Sequence, residues 1–256
     1  YVDSVTRSDL EDFVYDDSVA DATRNQRFRH LRSFFNWCED QGFANSTPDL
    51  DEPETYDTLP KVVRREELEA VCDTIREDYN DKTKDGHVYE EDVLIWRIPI
   101  FRFAFFTGFR ASEIGRLKWK HIRLRREKVE VVKQKNRKAQ VLPLSKKALE
   151  VLRGLDHRKG WVFCGPRTAP TDDRSVLSFR QDVSKHWRKY RKKAGIERPV
   201  SFHGLRHGFV SYLAEQGVNA HTIKRLARHK TMQTTQKYVH LSQDRLKDAL
   251  DDAFGD

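Results

Sequence analysis

Apolar residues recur at helical spacing near the start of the chain. The run from Phe28 to Cys38 follows the i, i+3, i+4, i+7 pattern that buries one face of a helix, and Gly42 ends it. Three prolines among acidic residues come next, with no apolar periodicity. The pattern therefore predicts a small helical domain at residues 1–46 and a linker at residues 47–62.

The apolar period changes twice in the remaining residues, 63–256. Helical spacing gives way to short β-rich runs on either side of a Lys/Asn/Arg turn at residues 133–138, and it returns in the last third of the chain. Pro99 is expected to kink an apolar helix at residues 94–106, and residues 161–163 are expected to form a third short strand. The pattern predicts a mainly α-helical fold with a small antiparallel β-sheet.

Charge divides the chain at nearly the same place. The whole sequence has 48 Lys and Arg against 40 Asp and Glu, but residues 1–60 hold five arginines, no lysine and fourteen acidic residues. Those residues carry a net charge of −9, so residues 61–256 carry +17. A basic body with aromatic residues among the charges is typical of proteins that bind nucleic acid, although a solvated basic surface has the same composition.

Composition excludes several classes of protein. Hydrophobic residues make up 38% of the chain and aromatic residues 11%, which is enough for a packed core. No apolar run approaches the roughly 18 residues of a membrane span, and the first residues do not resemble a secretory signal. Cys38, Cys72 and Cys164 lie far apart, which indicates reduced thiols instead of disulfides or a zinc site. We therefore expect a cytoplasmic protein with no membrane partner.

A first candidate site lies in the segment TGFRASEI, residues 107–114. The Thr-Gly turn places Arg110 at the start of a helix, where the helix dipole favours an anion and the guanidinium adds a planar pair of donors. Glu113, three residues later, could hold that guanidinium in place. Taken alone, an Arg–Glu pair at a helix start usually has a structural role.

A second candidate site lies in the segment FHGLRH, residues 202–207. His203 and Arg206 are three residues apart and share one face of a helix. His207 is four residues after His203, the spacing of a metal-binding pair, but no glutamate follows His203 and no third ligand has a familiar spacing. We therefore expect no metal site and a structural role for His207.

A third segment, LARHKTMQTTQKYVH, contains His229 and Tyr238. Either residue alone would be ascribed to packing. Together the three segments and the basic hairpin supply what cleavage of a phosphodiester without a metal requires. Two cations match the charge of the dianionic transition state. A tyrosine, whose ordinary pKa is near 10, needs a proton acceptor before it can attack, and a lysine can protonate the leaving oxygen.

These segments resemble the three sequence boxes of the tyrosine recombinase (phage integrase) family, and the resemblance runs from about residue 63 to residue 241. It implies that Arg110 and Arg206 clamp the scissile phosphate and that Tyr238 attacks it, forming a 3′-phosphotyrosyl link. His203 would act as a base or in hydrogen-bond support, and His229 would donate a hydrogen bond to a phosphate oxygen.

The resemblance also assigns the general acid to a lysine of the hairpin. Counting back from the strand that follows places it at Lys135, with Lys133 and Lys138 close enough to substitute. The sequence departs from the family pattern before His229, where Arg228 replaces the usual small residue and could add a phosphate contact.

Domain roles follow from the same resemblance. Residues 1–46 would be a partial helical core-binding (SAM-like) DNA-binding domain, and residues 63–256 an α+β catalytic domain whose C-terminal segment docks as a helix on a neighbouring subunit. The expected DNA contacts lie in the N-terminal arginines, the hairpin and a basic helix. They are Arg24, Arg27, Lys133, Lys138, Arg180, Lys185, Arg188, Lys189 and Lys192.

The function implied is that of a site-specific DNA recombinase or integrase. It would cleave and rejoin strands through a Holliday junction, without a cofactor, metal or ATP, as a homo-tetramer on double-stranded recombination sites, with a monomer allowed in free solution. DNA binding would place it at the nucleoid in the cytoplasm. The alternatives are a type IB topoisomerase and a catalytically silent DNA-binding accessory protein.

Overall fold

The computed structural model describes residues 2–54, 60–84, 95–131, 140–165 and 175–239. The chain forms two compact units, Tyr1–Leu59 and Pro60–Asp256. The division between them falls inside the segment predicted as a linker. Each unit is described by itself.

The first unit is a pair of helices, α1 (Arg7–Val14) and α2 (Asp21–Asp40). Thr6 caps α1 by accepting a hydrogen bond from the backbone N–H of Asp9, and Gly42 follows α2 in the left-handed conformation. The first residues of the predicted linker, 47–54, are not free chain. Asn25 Nδ2, for example, donates to the carbonyl oxygen of Pro53 at 3.0 Å, so this segment packs against α2.

The second unit is mainly helical. In chain order its helices are α3 (Arg65–Lys84), α4 (Arg97–Thr107), α5 (Ala111–Gly115), α6 (Lys146–Arg153), α7 (Val176–Lys193), α8 (His203–Glu215), α9 (Ala220–Ala227) and α10 (Gln233–Val239). Helix α4 is at the centre of the core, with Phe101 meeting Trp187 edge to face at a centroid distance of 5.3 Å. Pro99 lies in the first turn of α4, where its missing N–H costs no hydrogen bond, and α4 runs without interruption from Arg97 to Thr107. The first residue of the predicted apolar helix, 94, lies outside the described residues.

A three-stranded antiparallel sheet flanks the helices. Its strands, β1 (Ile122–Arg123), β2 (Lys128–Val131) and β3 (Gln140–Pro143), lie in the order β1-β2-β3. The predicted hairpin is confirmed as β2 and β3, in a register that pairs Val129 with Leu142. The third strand predicted at residues 161–163 is wrong, since Trp161 makes only an isolated bridge to Lys118, and the three side chains are buried in the core. The hairpin turn, with Lys133, Lys135 and Lys138, lies outside the described residues.

Candidate active site

Arg110 is positioned by the sharp turn between α4 and α5. Gly108 ends α4 with φ +62°, and a Cβ atom there would lie 2.4 Å from the ring of Phe209, so only glycine fits without displacement. Arg110 then stands at the N-cap of α5. Its backbone N–H donates to Glu113 Oε2 at 2.8 Å and its Nη1 donates to Oε1 at 3.0 Å, which is the pairing expected from the spacing. The Arg110 side chain is 41% exposed and so can still reach an anion.

Arg206 approaches the same turn from α8. It is buried, and its guanidinium donates to the carbonyl oxygens of Gly108, at 2.6 Å, and Ala227. These bonds fix the cation between the turn after α4 and the end of α9. Burial, followed by the nearby charges of Arg110 and Arg228, lowers the pKa of Arg206. A phosphate at this position would restore a counter-charge.

Arg228 is a structural cation that the sequence did not identify. Its side chain is fully buried, donates to Glu113 Oε2 at 2.9 Å and to the Gly108 carbonyl at 3.0 Å, and lies 4.4 Å from the centroid of Phe109. The suggestion that Arg228 adds a phosphate contact is therefore wrong, because Glu113 and the Gly108 carbonyl occupy its guanidinium. Burial opposes ionisation of Glu113, but Arg228 and the backbone of Arg110 hold its pKa below the ordinary value.

Three histidines border the arginines. His203 is exposed at the start of α8, and the ring of His207 meets it edge to face one turn later at a centroid distance of 4.6 Å. His229 follows α9 and shares a hydrogen bond of 2.9 Å with the buried hydroxyl of Thr235. Desolvation by the surrounding protein, then the charges of neighbouring groups, lowers the pKa of each ring to about 4. All three rings are therefore neutral near pH 7.

Tyr238 completes the cluster from α10. Its side chain is 2% exposed, and its ring lies between the rings of His207 and His229, nearly parallel to both, at centroid distances of 5.8 and 6.2 Å. The Tyr238 hydroxyl is hydrogen-bonded to His207 Nδ1. Burial raises the pKa of Tyr238 to about 12 against the opposing charge of Arg206.

The contact of His207 with Tyr238 is the second feature that sequence reasoning missed, since His207 was expected to have a structural role. The signal was present in its position, four residues after His203 and next to Arg206. That spacing places both imidazoles on the same side of α8. Nothing in the sequence indicated that Tyr238 would meet this particular ring.

A groove of about 630 Å³ leads away from the cluster along α7. Its lining includes Arg110 and His203 of the cluster and Arg180 and Arg188 of α7. All five cations expected to contact DNA on this helix are exposed: Arg180, Lys185, Arg188, Lys189 and Lys192. The aromatic residues between them, Trp187 and Tyr190, are buried in the core.

The two candidate arginines of the first unit lie in ion pairs. Arg24 Nη2 is 2.9 Å from Asp17 Oδ1, and Arg27 Nη1 is 3.1 Å from Asp16 Oδ2. Both side chains are about three-quarters buried. Their contact with DNA stays a prediction that would require these pairs to open or to be shared.

Metal ligands and membrane spans would each point to another class of protein. Within the described ranges, no group of three or more His, Cys, Asp or Glu side chains is arranged to hold a metal ion. None of the helices in those ranges is long and apolar enough to cross a membrane.

The chain is similar to known proteins over most of its length. The family model described as "Phage integrase family" matches residues 61–245. Tyrosine recombinase XerD of Brucella suis is 28% identical over 241 residues, which cover 89% of this chain and 74% of the relative. XerD of Listeria innocua is 26% identical over 231 residues, covering 85% and 71%.

Solved structures share the fold at lower identity. The integrase of transposon Tn1549, in complex with a circular intermediate DNA, has a TM-score of 0.69 and 17% identity, and the alignment covers 98% of this chain and 86% of that one. The XerH site-specific recombinase, bound to a palindromic difH substrate, has a TM-score of 0.68 and 18% identity, with 98% and 73% covered. Both the relatives and these structures are recombinases or integrases, which does not favour the topoisomerase or silent accessory alternatives.

Proposed function

The chain belongs to the phage integrase family and is a tyrosine recombinase, and we propose that Tyr238 is the nucleophile with which it cleaves DNA at specific sites. The observation that carries this proposal is the convergence of Tyr238 with Arg110, Arg206 and His229 from four separate parts of one unit. Attack on a phosphodiester would leave the protein joined to a DNA 3′ phosphate and release a 5′ hydroxyl.

The two arginines act as a preorganised phosphate clamp. Arg206 is fixed by two backbone carbonyls, and Arg110 by Glu113, so neither cation has to reorganise when charge develops on phosphorus. Arg110 is partly exposed and faces the groove, whereas Arg206 is at the buried end. A phosphate between them would be held by both guanidinium groups in a site with little water.

His203 and His229 support the phosphate from either side. His203 is exposed at the mouth of the groove beside Arg110, so its neutral ring can donate a hydrogen bond to a phosphate oxygen. The hydrogen bond of His229 Nδ1 with Thr235 fixes the ring and leaves Nε2 as the atom for a phosphate oxygen. The proton for the leaving 5′ oxygen is assigned to Lys135 of the β2–β3 turn, with Lys133 and Lys138 as the other candidates.

Tyr238 must become accessible before it can attack. At 2% exposure its hydroxyl cannot contact a phosphate in the groove, so the free protein holds its nucleophile in a resting position. We expect DNA binding to shift α10 by a small amount that brings the hydroxyl toward the clamp and keeps it within reach of His207 Nδ1.

DNA is the substrate, and its path follows the groove. The exposed cations of α7 begin next to Arg110 and continue along the helix, so a DNA backbone in the groove would meet positive charge on both sides of the scissile phosphate. Exchange of two strands in each of two sites requires four nucleophiles, which is the reason to propose a homo-tetramer on DNA and a Holliday-junction intermediate. Association with the nucleoid would follow from this substrate.

Covalent trapping tests the assignment of Tyr238. Wild type and Tyr238→Phe are incubated with nicked suicide duplexes, and a protein–DNA adduct resistant to SDS is expected from wild type only. Tyr212→Phe is the matched control, because Tyr212 is an exposed tyrosine on α8 whose replacement should leave the adduct unchanged. An adduct formed by Tyr238→Phe would transfer the role to another residue.

A further inference from the structure

The hydroxyl of Tyr238 is hydrogen-bonded to His207 and not to His203, the histidine that the family resemblance puts forward as base. We propose that His207 is a catalytic residue, which takes the proton of the Tyr238 hydroxyl when this tyrosine attacks DNA. The inference rests on the proposed function, because it names the proton acceptor of the same site.

The geometry fixes the direction of this hydrogen bond. The Tyr238 side chain is buried, so a hydroxyl proton without an acceptor would cost free energy. If His207 Nδ1 donated to the oxygen, that proton would have no acceptor among the residues that the structure describes. The hydroxyl therefore donates, and the neutral His207 ring carries its proton on Nε2.

The positions of His203 and His207 support different roles for the two histidines. His203 is exposed at the start of α8 and lines the groove with Arg110. His207 is one turn deeper, and its ring lies against Tyr238 at an interplanar angle of 24°. The outer histidine therefore faces the substrate, and the inner one faces the nucleophile.

The charges around His207 explain why the tyrosine is inert without DNA. The groups facing it are His203 and Arg206 on α8, His229 after α9, and Tyr238 on α10. Burial, then these neighbours, lowers the pKa of His207 to about 4, while burial raises that of Tyr238 to about 12, so the proton stays on oxygen. A phosphate bound to Arg206 would offset the positive charge and raise the basicity of His207. DNA binding would thereby switch on proton transfer.

The step balances without another reactant. The Tyr238 O–H bond breaks, the proton goes to His207 Nδ1, and the oxygen electron pair forms the bond to phosphorus. The bond from phosphorus to the 5′ oxygen then breaks, and the 5′ oxygen takes its electron pair and a proton from the hairpin lysine. In rejoining, the 5′ hydroxyl gives its proton back to the hairpin lysine and attacks phosphorus. The bond from phosphorus to the tyrosine oxygen breaks, and His207 returns its proton to that oxygen.

The first experiment compares His207→Asn with wild type on the suicide duplex. Asparagine keeps a hydrogen-bond acceptor near the position of Nδ1 but cannot take the proton, so the site is neither emptied nor enlarged. We expect cleavage to fall on the order of 10²–10³-fold while DNA binding is kept. His221→Asn is the matched control, because His221 is exposed on α9 and outside the cluster.

The pH dependence of cleavage separates proton transfer from a merely structural role. Without an acceptor only the tyrosinate can attack, so the logarithm of the variant's rate should rise with a slope of about one up to the pKa of the tyrosine. The wild-type rate should be nearly independent of pH in the same range. A 5′-bridging sulfur, which leaves without a proton, should not rescue His207→Asn, whereas added imidazole should restore cleavage by His207→Ala.

Three results would overturn the inference. One is cleavage by His207→Asn at the wild-type rate, and another is a reduced rate with the wild-type pH profile, which would make His207 a packing residue. The third is faster cleavage by His207→Asn, which would mean that the histidine restrains the tyrosine. Absence of an adduct from wild type itself would instead reject the proposed function, so the two failures are distinguishable.

Discussion

At the scale of single residues, Arg228 has a backbone conformation that is unusual for a residue other than glycine. Its φ of +59° lies in the left-handed region, which costs a side-chain-bearing residue roughly 1–2 kcal/mol. The compensation is visible in its contacts, since the buried guanidinium neutralises Glu113 and lies over the ring of Phe109. Glu113 also pairs with Arg110, so Arg228 indirectly positions one of the two arginines of the proposed phosphate clamp.

Replacement of Arg228 by glycine tests that support. Glycine removes the backbone strain but leaves Glu113 buried with a single cation, and loss of one partner of a buried pair costs about 3–5 kcal/mol. We therefore expect Arg228→Gly to be less stable by about 1–4 kcal/mol in urea unfolding, after the strain of roughly 1–2 kcal/mol is subtracted. In a Glu113→Gln background the same substitution should cost much less, and equal costs in both backgrounds would contradict the coupling.

The half-buried histidines His207 and His229 make the stability of the fold depend on pH. In the folded protein the pKa values of His207 and His229 are about 4, against 6.5 for an ordinary histidine. Between these two pKa values the unfolded chain binds more protons than the folded protein. The free energy of unfolding therefore has its full value above about pH 6.5 and falls as the pH decreases toward 4. Asp182, with its pKa held near 2, titrates below this range.

Urea unfolding at a series of pH values measures this dependence. His229→Asn removes one of the titrating rings, so its stability should decline less steeply than that of wild type. The exposed His221 provides a control, since its replacement should leave the slope unchanged. A wild-type stability that stays constant from pH 7 to pH 4 would contradict the proposed origin of the lowered pKa values.

At the scale of helices and strands, the sequence predicted elements whose signals lie close together along the chain, but not those that depend on contacts with distant residues. The hairpin was predicted because its strand alternation and turn residues lie close together in sequence. Helix α3 continues to Lys84 although its last turns have no apolar periodicity. Its polar last turns are held by Asp78, which accepts hydrogen bonds from Tyr190, at 2.6 Å, and Lys193.

The same distinction applies to the candidate site. Arg110, Arg206, His229 and Tyr238 were found because their order along the chain matches a known chemistry. The roles of His207 and Arg228 depend on partners 31 and 115 residues away, Tyr238 and Glu113, and no local pattern encodes such a contact. The sequence thus predicted which candidate residues come together, but not the contacts that hold them in place.

Asp78 offers a test of tertiary support for α3. Its carboxylate is buried, and its removal leaves the hydroxyl of Tyr190 without this acceptor. We expect Asp78→Ala to destabilise the protein by about 1–3 kcal/mol in urea unfolding, because a buried polar group loses its partner. Glu77→Ala is the control, since Glu77 is exposed one position earlier on the same helix. Equal effects of the two substitutions would reject tertiary support as the reason for the longer helix.

At the scale of the whole molecule, charge is separated between the two units. Residues 1–60 carry −9 and residues 61–256 carry +17, so net attraction to DNA must come from the second unit. In that unit, α7 presents a row of exposed cations beside the groove, while its buried face supplies Phe101 with an aromatic partner, Trp187. One helix therefore serves both the core and the proposed DNA surface.

The salt dependence of DNA binding tests whether the α7 cations bind the DNA backbone, a role distinct from that of the two clamp arginines in cleavage. Removal of a single phosphate-binding cation should reduce the slope of log K against log salt by about 0.9, so Arg180→Ala and Arg188→Ala should each flatten it by about that amount. Cleavage of DNA already bound should change little, since these residues touch neither the reacting phosphate nor Tyr238. Arg153→Ala removes an exposed cation of α6 outside the groove and should leave the slope unaltered. If all three variants had the wild-type slope, the DNA backbone would have to follow another face of the second unit.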